Sequence, residues 1–240
     1  MPSDRRGTLD GLLERWLKQV REILEELNLV LAGRGRLLDS LLPPLVFVLL
    51  NAIWGLKVAI WSSLGLAVVI VIYRLIRRQS LRYALGGAGG VALAAAAAAL
   101  LGRAEGFFVP TLISGALTVF LCLVSVLVGR PIVAFTSWVA RRWPMNWYWH
   151  PKVRPAYSEV TWMWVVFFGL RLLLQFNLFQ EQAAGLLSIV QLVMGWPATI
   201  VLLIASYLYG TWRLKNLGGP SVEEFRSGAA PPWEGQRRGF

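Results

Sequence analysis

Charge is scarce in this chain: only 15% of its residues are Asp, Glu, Lys or Arg, against roughly 25% in soluble domains. With 56% hydrophobic residues, the composition excludes an ordinary water-soluble domain. Acids are scarcer than bases, 13 against 24, which leaves a formal net charge of +11. In a soluble protein that excess would suggest nucleic acid. Here the bases lie between apolar runs and belong to no compact basic module, so no nucleic-acid partner is expected. Cysteine occurs once, as Cys122 within an apolar run, which excludes an internal disulfide and marks a packing residue. Histidine also occurs once. His150 sits in a Trp- and Pro-rich stretch with no Cys or carboxylate cluster to complete a metal site. Phosphate loops, nucleophile elbows and paired intramembrane carboxylates are all missing. The expectation is therefore a protein that is not an enzyme and uses no cofactor.

What the chain has in abundance is long apolar runs. A hydrocarbon core of about 30 Å needs about 20 apolar residues as helix, and six runs approach that length: 37–54, 58–76, 83–102, 106–129, 160–179 and 184–209. The first is broken near its start by Pro43 and Pro44, and the last contains Pro197, a kink position. Short connections join the runs in pairs. The expected fold is all-α: a polytopic membrane bundle of about six transmembrane helices in three hairpins, occupying 37–210. The stretch before it, 1–36, has no apolar core of a signal peptide, so the first membrane run is expected to act as the targeting signal. Within it, Leu9, Leu12, Leu13, Trp16, Val20, Ile23, Leu24, Leu27 and Leu31 recur at helical spacing. This predicts an N-terminal amphipathic helix whose polar face is more acidic than basic, suited to docking on protein or on lipid.

Lysine and arginine set the orientation. Of the 24 bases, all except Lys57, Arg103 and Arg171 fall in the N-terminal stretch, the link after the second run, the loop after the fourth, or the tail. An even number of spans with both termini in the cytoplasm of a bacterial inner membrane is the pattern expected. The loop 131–159 carries Phe135, Trp138, Trp143, Trp147, Tyr148 and Trp149 beside Arg141 and Arg142. It reads as an interfacial stretch, either an aromatic belt or a contact for a lipid headgroup or pigment. The tail, 211–240, becomes rich in Gly, Pro and charge from Gly218 and is expected to be disordered.

Among polar residues, Arg171 is the most informative. An arginine well inside an apolar helix costs at least ~2.5 kcal/mol on insertion scales, so it should face protein or water. Gln175 lies one turn further on, followed by Asn177 and Gln180; Glu105 and Glu181 are candidate counter-charges, and Asn51, Ser188 and Gln191 could join such a network. Two readings follow: an anion or headgroup site, or an inter-helix ion pair that fixes packing. In the third run, Gly86, Gly90, Ala94, Ala98 and Gly102 recur every four residues, a face of small residues that lets helices approach closely.

Several short stretches resemble the bacterial intracellular septation protein A family: Leu41-Leu42-Pro43-Pro44-Leu45-Val46-Phe47, Ile70-Val71-Ile72-Tyr73-Arg74, Val124-Ser125-Val126-Leu127-Val128-Gly129-Arg130-Pro131-Ile132 and Trp162-Met163-Trp164-Val165-Val166-Phe167-Phe168. Arg103-Ala104-Glu105-Gly106-Phe107-Phe108 and Leu170-Arg171-Leu172 are more similar to a related, uncharacterised bacterial membrane family. The N-terminal helix, the Trp-rich loop and the tail depart from the compact septation pattern. The resemblance implies a non-enzymatic inner-membrane protein of envelope upkeep or division that works through other membrane proteins. Three roles fit: a scaffold of that kind; a small carrier or channel for an anionic solute or lipid, using Arg171; and an accessory subunit of a larger membrane assembly, photosynthetic or other. The bilayer, other membrane proteins and a second copy in a homo-oligomer are the expected partners.

Overall fold

The computed structural model describes residues 45–76, 81–236 and 239–240, without the side chains of Arg74 and of 81–86. The amphipathic segment 8–31, the prolines Pro43 and Pro44, and the basic link at Arg77 and Arg78 lie outside the described residues. All regular structure among the described residues is helical.

Helix α1 (Leu45–Trp54) gives way to α2 (Leu56–Ile76) across Gly55, whose φ of +81° only glycine adopts freely. Helix α3 (Leu81–Leu101) stops at Gly102, also at positive φ, and the chain tightens into a 3₁₀ turn, Ala104–Phe108. All five residues of that turn are buried. Gly106 makes this possible: a Cβ there would lie 2.7 Å from the Cα of Ala98. Phe47 of α1 stacks on Phe107 with ring centroids 4.1 Å apart. Helix α4 (Val109–Leu127) starts on Pro110, whose missing N–H costs nothing in a first turn. It ends in a paired glycine cap: Gly129 N–H donates to Val126 and Arg130 N–H to Ser125, at 2.9 and 2.8 Å.

Two short helices follow, α5 (Ile132–Arg141) and α6 (Met145–Tyr148), and then the long α7 (Arg154–Gln180). At 27 residues, α7 is about 40 Å long and exceeds the hydrocarbon core. Helix α8 (Ala184–Val193) and α9 (Trp196–Leu217) lie end to end within one apolar run. A kink was expected at Pro197; instead the helix stops at Met194–Gly195 and restarts with the proline in its first turn. Proline has no N–H to continue the preceding ladder, and it fits a helix start without loss.

Among the described residues, four stretches are long and apolar enough to cross a membrane: Leu56–Tyr73, Ala104–Leu127, Arg154–Gln180 and Ala184–Leu217. Six had been expected. The stretches Leu45–Trp54 and Gly87–Leu101 are apolar but shorter. Large apolar side chains point outward along these helices, Leu100 being 87% exposed and Trp61 74%. A surface of this kind belongs in lipid rather than in water, so the chain is a membrane protein. Sequence neighbours do not fix the packing. Helices α2 and α3 run along each other, whereas the long partner of α4 is α7, with α9 on another side of α7.

A second core lies at the α5–α6 end. Trp147, Tyr148, Val153, Ala156 and Tyr157 pack there with Val133, Ala134 and Leu214. Of the aromatics in this stretch Trp147 and Tyr148 are fully buried, whereas Phe135 is exposed and Trp138, Trp143 and Trp149 are half-buried. Tyr148 shares a hydrogen bond with Ser137 at 3.2 Å, and burial pushes its phenol above the ordinary range. The tail is ordered where disorder had been expected. It forms α10 (Val222–Ser227), with a capping box between Ser221 and Glu224, and then returns to the core. Trp147 Nε1 donates to the carbonyl of Pro220 at 2.9 Å. The ring of Phe240 stacks on Tyr157 with centroids 4.4 Å apart, and Arg141 Nε donates to the Phe240 carbonyl at 3.0 Å. Buried aromatic contacts and caps supply what the Gly- and Pro-rich composition alone does not show.

Candidate functional site

Along α4, Thr111, Ser114, Gly115 and Thr118 fall at helical spacing and form one polar, small-residue face. Along α7, Phe168, Arg171, Leu172 and Gln175 do the same. The two faces meet and enclose a cavity of about 110 Å³ lined by these eight residues. That is room for several waters or a small anion, and far less than a metabolite pocket needs.

The chemistry of the lining is one-sided. Arg171 brings a guanidinium whose Nε is buried with no hydrogen-bond partner among the described residues. None of the lining residues is acidic. Ser114 Oγ donates to the Thr111 carbonyl at 3.0 Å and Thr118 Oγ1 to the Ser114 carbonyl at 2.8 Å, which helps polar side chains sit within an apolar helix. Those hydroxyls can rotate their protons toward a ligand. Gln175, 3% exposed, adds an amide. A partly desolvated charge without a partner is costly, and the group that would relieve it is an anion with oxygen acceptors.

Of the residues expected to form the polar network, Arg171 and Gln175 are brought together. Glu105 is buried in the 3₁₀ turn and does not line the cavity. Asn177 is exposed, and Asn51 on α1 also lies outside the lining. Glu181 is exposed beyond the end of α7. Ser188 Oγ and Gln191 Oε1 are buried without partners, away from this lining. On the small-residue face of α3, Ala94 and Ala98 are buried while Gly90 and Gly102 are exposed. Gly86 is helical, its burial outside the described side chains. The close approach at Ala98 is made by the chain's own 3₁₀ turn.

The hydroxyl face of α4 escaped the sequence reading, although Thr111, Ser114 and Thr118 at intervals of three and four are its signal. A second polar cluster did as well. Arg213 grips Glu159 in a two-pronged ion pair at 2.7 and 2.8 Å, and Tyr209 donates to the same carboxylate at 2.7 Å. With Trp164 donating to Ser206 at 2.9 Å, this zips α7 to α9. An acid in an apolar helix needs a cation, and Tyr209 and Arg213 stand one turn apart to meet it. His150 Nδ1 accepts from the Lys152 N–H at 3.2 Å and its ring lies 5.4 Å from that of Trp233; burial and Lys152 lower its basicity. No group of three metal-ligating side chains occurs among the described residues.

A family model described as "Protein of unknown function (DUF3159)" matches residues 31–214. The chain belongs to this family. The DUF3159 match takes in α1 through most of α9, and with them the whole cavity; α10 and the returning tail lie beyond it. No curated protein and no solved structure matches the chain.

Proposed function

We propose that this DUF3159 protein binds an anion between α4 and α7 and serves as a small carrier for anionic solutes or lipids. One observation carries the reading: a half-buried Arg171, its Nε buried and without a partner among the described residues, faces a cavity with hydroxyls and an amide but no carboxylate. A scaffold in envelope upkeep or division, as the septation resemblance implies, would be favoured by a paired Arg171 in a closed core. The bundle reads as crossing a bacterial inner membrane six times, with α1 and α3 completing the four longer spans and both termini in the cytoplasm. The positions of the bases support this.

The test is the thermal unfolding midpoint of the purified full chain in neutral detergent, at constant ionic strength, against inorganic phosphate, sulfate and an anionic phospholipid. At least one of these raises the wild-type midpoint saturably, and Arg171→Leu abolishes that rise while the ligand-free variant unfolds no earlier than wild type. A ligand-free variant that unfolds several degrees earlier would mark Arg171 as a packing element and sink the proposal. So would anion responses identical in both proteins.

A further inference from the structure

The cavity opens sideways. Of its lining residues only Ser114 is exposed, and Ser114 stands at the edge of the polar face of α4, beside apolar neighbours. Its neighbours on the rim are apolar and point outward: Ile113 is 64% exposed and Leu117 55% on α4, and Leu170 is 61% exposed on α7. Gln175 fills the side toward the end of α7 and is buried, and Phe168 stands on the opposite side of Arg171 along the same helix. A group arriving from the bilayer would meet Ser114 directly.

Depth agrees with that route. Thr111 stands two residues into α4, and Arg171 stands nine residues before the end of α7, about 14 Å at 1.5 Å per residue. The polar lining therefore starts near one membrane boundary and descends through roughly one leaflet of a core about 30 Å thick. The cavity is large enough for a phosphate and too small for an entire amphiphile, so whatever remains attached must stay outside, against the apolar rim.

We infer that the anion is the phosphate of a membrane lipid, which enters laterally past Ser114 to reach Arg171 while its acyl chains lie on Ile113, Leu117 and Leu170. This rests on the anion-site reading above and names its ligand class. The guanidinium supplies charge-assisted donors to phosphate oxygens, and the rim supplies the surface that a free ion would leave uncovered.

The experiment uses the full chain in neutral detergent micelles with three probes: phosphatidylglycerol, phosphatidylcholine of the same acyl chains, and inorganic phosphate. The half-saturation of the thermal shift is read for wild type, Arg171→Gln and Ser114→Leu. Phosphatidylglycerol is expected to act at the lowest concentration. Arg171→Gln should weaken it about tenfold or more, as loss of a charge-assisted bond does. Ser114→Leu changes an exposed position, so it should fold normally and still lose the lipid response. A shift by inorganic phosphate that equals or exceeds that of the lipid, and survives Ser114→Leu, overturns lateral entry and leaves the anion site standing. Equal responses to the two lipids in wild type and Arg171→Gln overturn the lipid-phosphate assignment. Absence of any Arg171-dependent response overturns both readings.

Discussion

At the scale of single residues, two arginines in neighbouring membrane helices meet opposite circumstances. Arg213 has a two-pronged carboxylate partner in Glu159, itself held by Tyr209, whereas Arg171 faces a cavity. The first is a structural device. Its side chains are about a third exposed, so solvent screening keeps its worth modest. A double-mutant cycle of Glu159→Gln and Arg213→Gln, read by thermal unfolding, should give a small favourable coupling, as expected of a well-aligned but partly exposed pair. A coupling near zero would show that α7 and α9 are held by packing alone. Arg171 was legible in the sequence because a charge inside an apolar run stands out by itself. Its surroundings were not. Nothing in the spacing says that Glu105 turns into its own buried 3₁₀ segment, or that Thr111, Ser114 and Thr118 face α7, since which helices become neighbours is decided by tertiary packing.

At the scale of elements, glycine and caps decide where helices end. A Cβ at Gly106 would meet the backbone of Ala98 at 2.7 Å, and backbone cannot step aside as a side-chain tip can. Gly106→Ala should therefore cost about 2 kcal/mol or more, seen as a lowered unfolding midpoint, while Gly90→Ala on the exposed face should be close to neutral. The tail element has a different dependence. The Glu224 carboxylate accepts from the backbone N–H groups of Ser221 and Glu234, both at 2.7 Å, and these bonds hold its pKa below the ordinary glutamate range. A depressed folded-state pKa stabilises the docked tail above the unfolded-state value, and this contribution is lost as pH falls through the folded-state value. Acidification below the ordinary glutamate range should speed hydrogen exchange in 222–236, and Glu224→Gln should exchange fast already at neutral pH. Most helices were legible from the apolar runs. The break at Met194–Gly195 and the ordered tail were not, because both depend on local bonds that composition averages away.

At the scale of the whole molecule, the apolar exterior makes a membrane its solvent, and the bases argue for the direction of insertion. If both termini are cytoplasmic, a cysteine replacing the exposed Glu181 should react with an impermeant maleimide on intact cells, whereas one replacing the exposed Lys152 should react only after the membrane is opened. Cys122, 1% exposed, should stay silent in both. The reverse labelling would invert the molecule. Membrane class was thus readable before any fold, while the pairing of α4 with α7 was not, since it joins segments separated by the whole aromatic core. That pairing has a mechanical consequence. Helix α7 is one uninterrupted rod, with Tyr157 under the ring of Phe240 near its start and Arg171 fourteen residues on, about 21 Å away. A rod wedged at one end behaves as a lever, and a rocking of about 10° about Tyr157 would swing Arg171 by about 4 Å over that length. Whatever pries the ring of Phe240 loose thereby frees the fulcrum on which the Arg171 guanidinium is aimed.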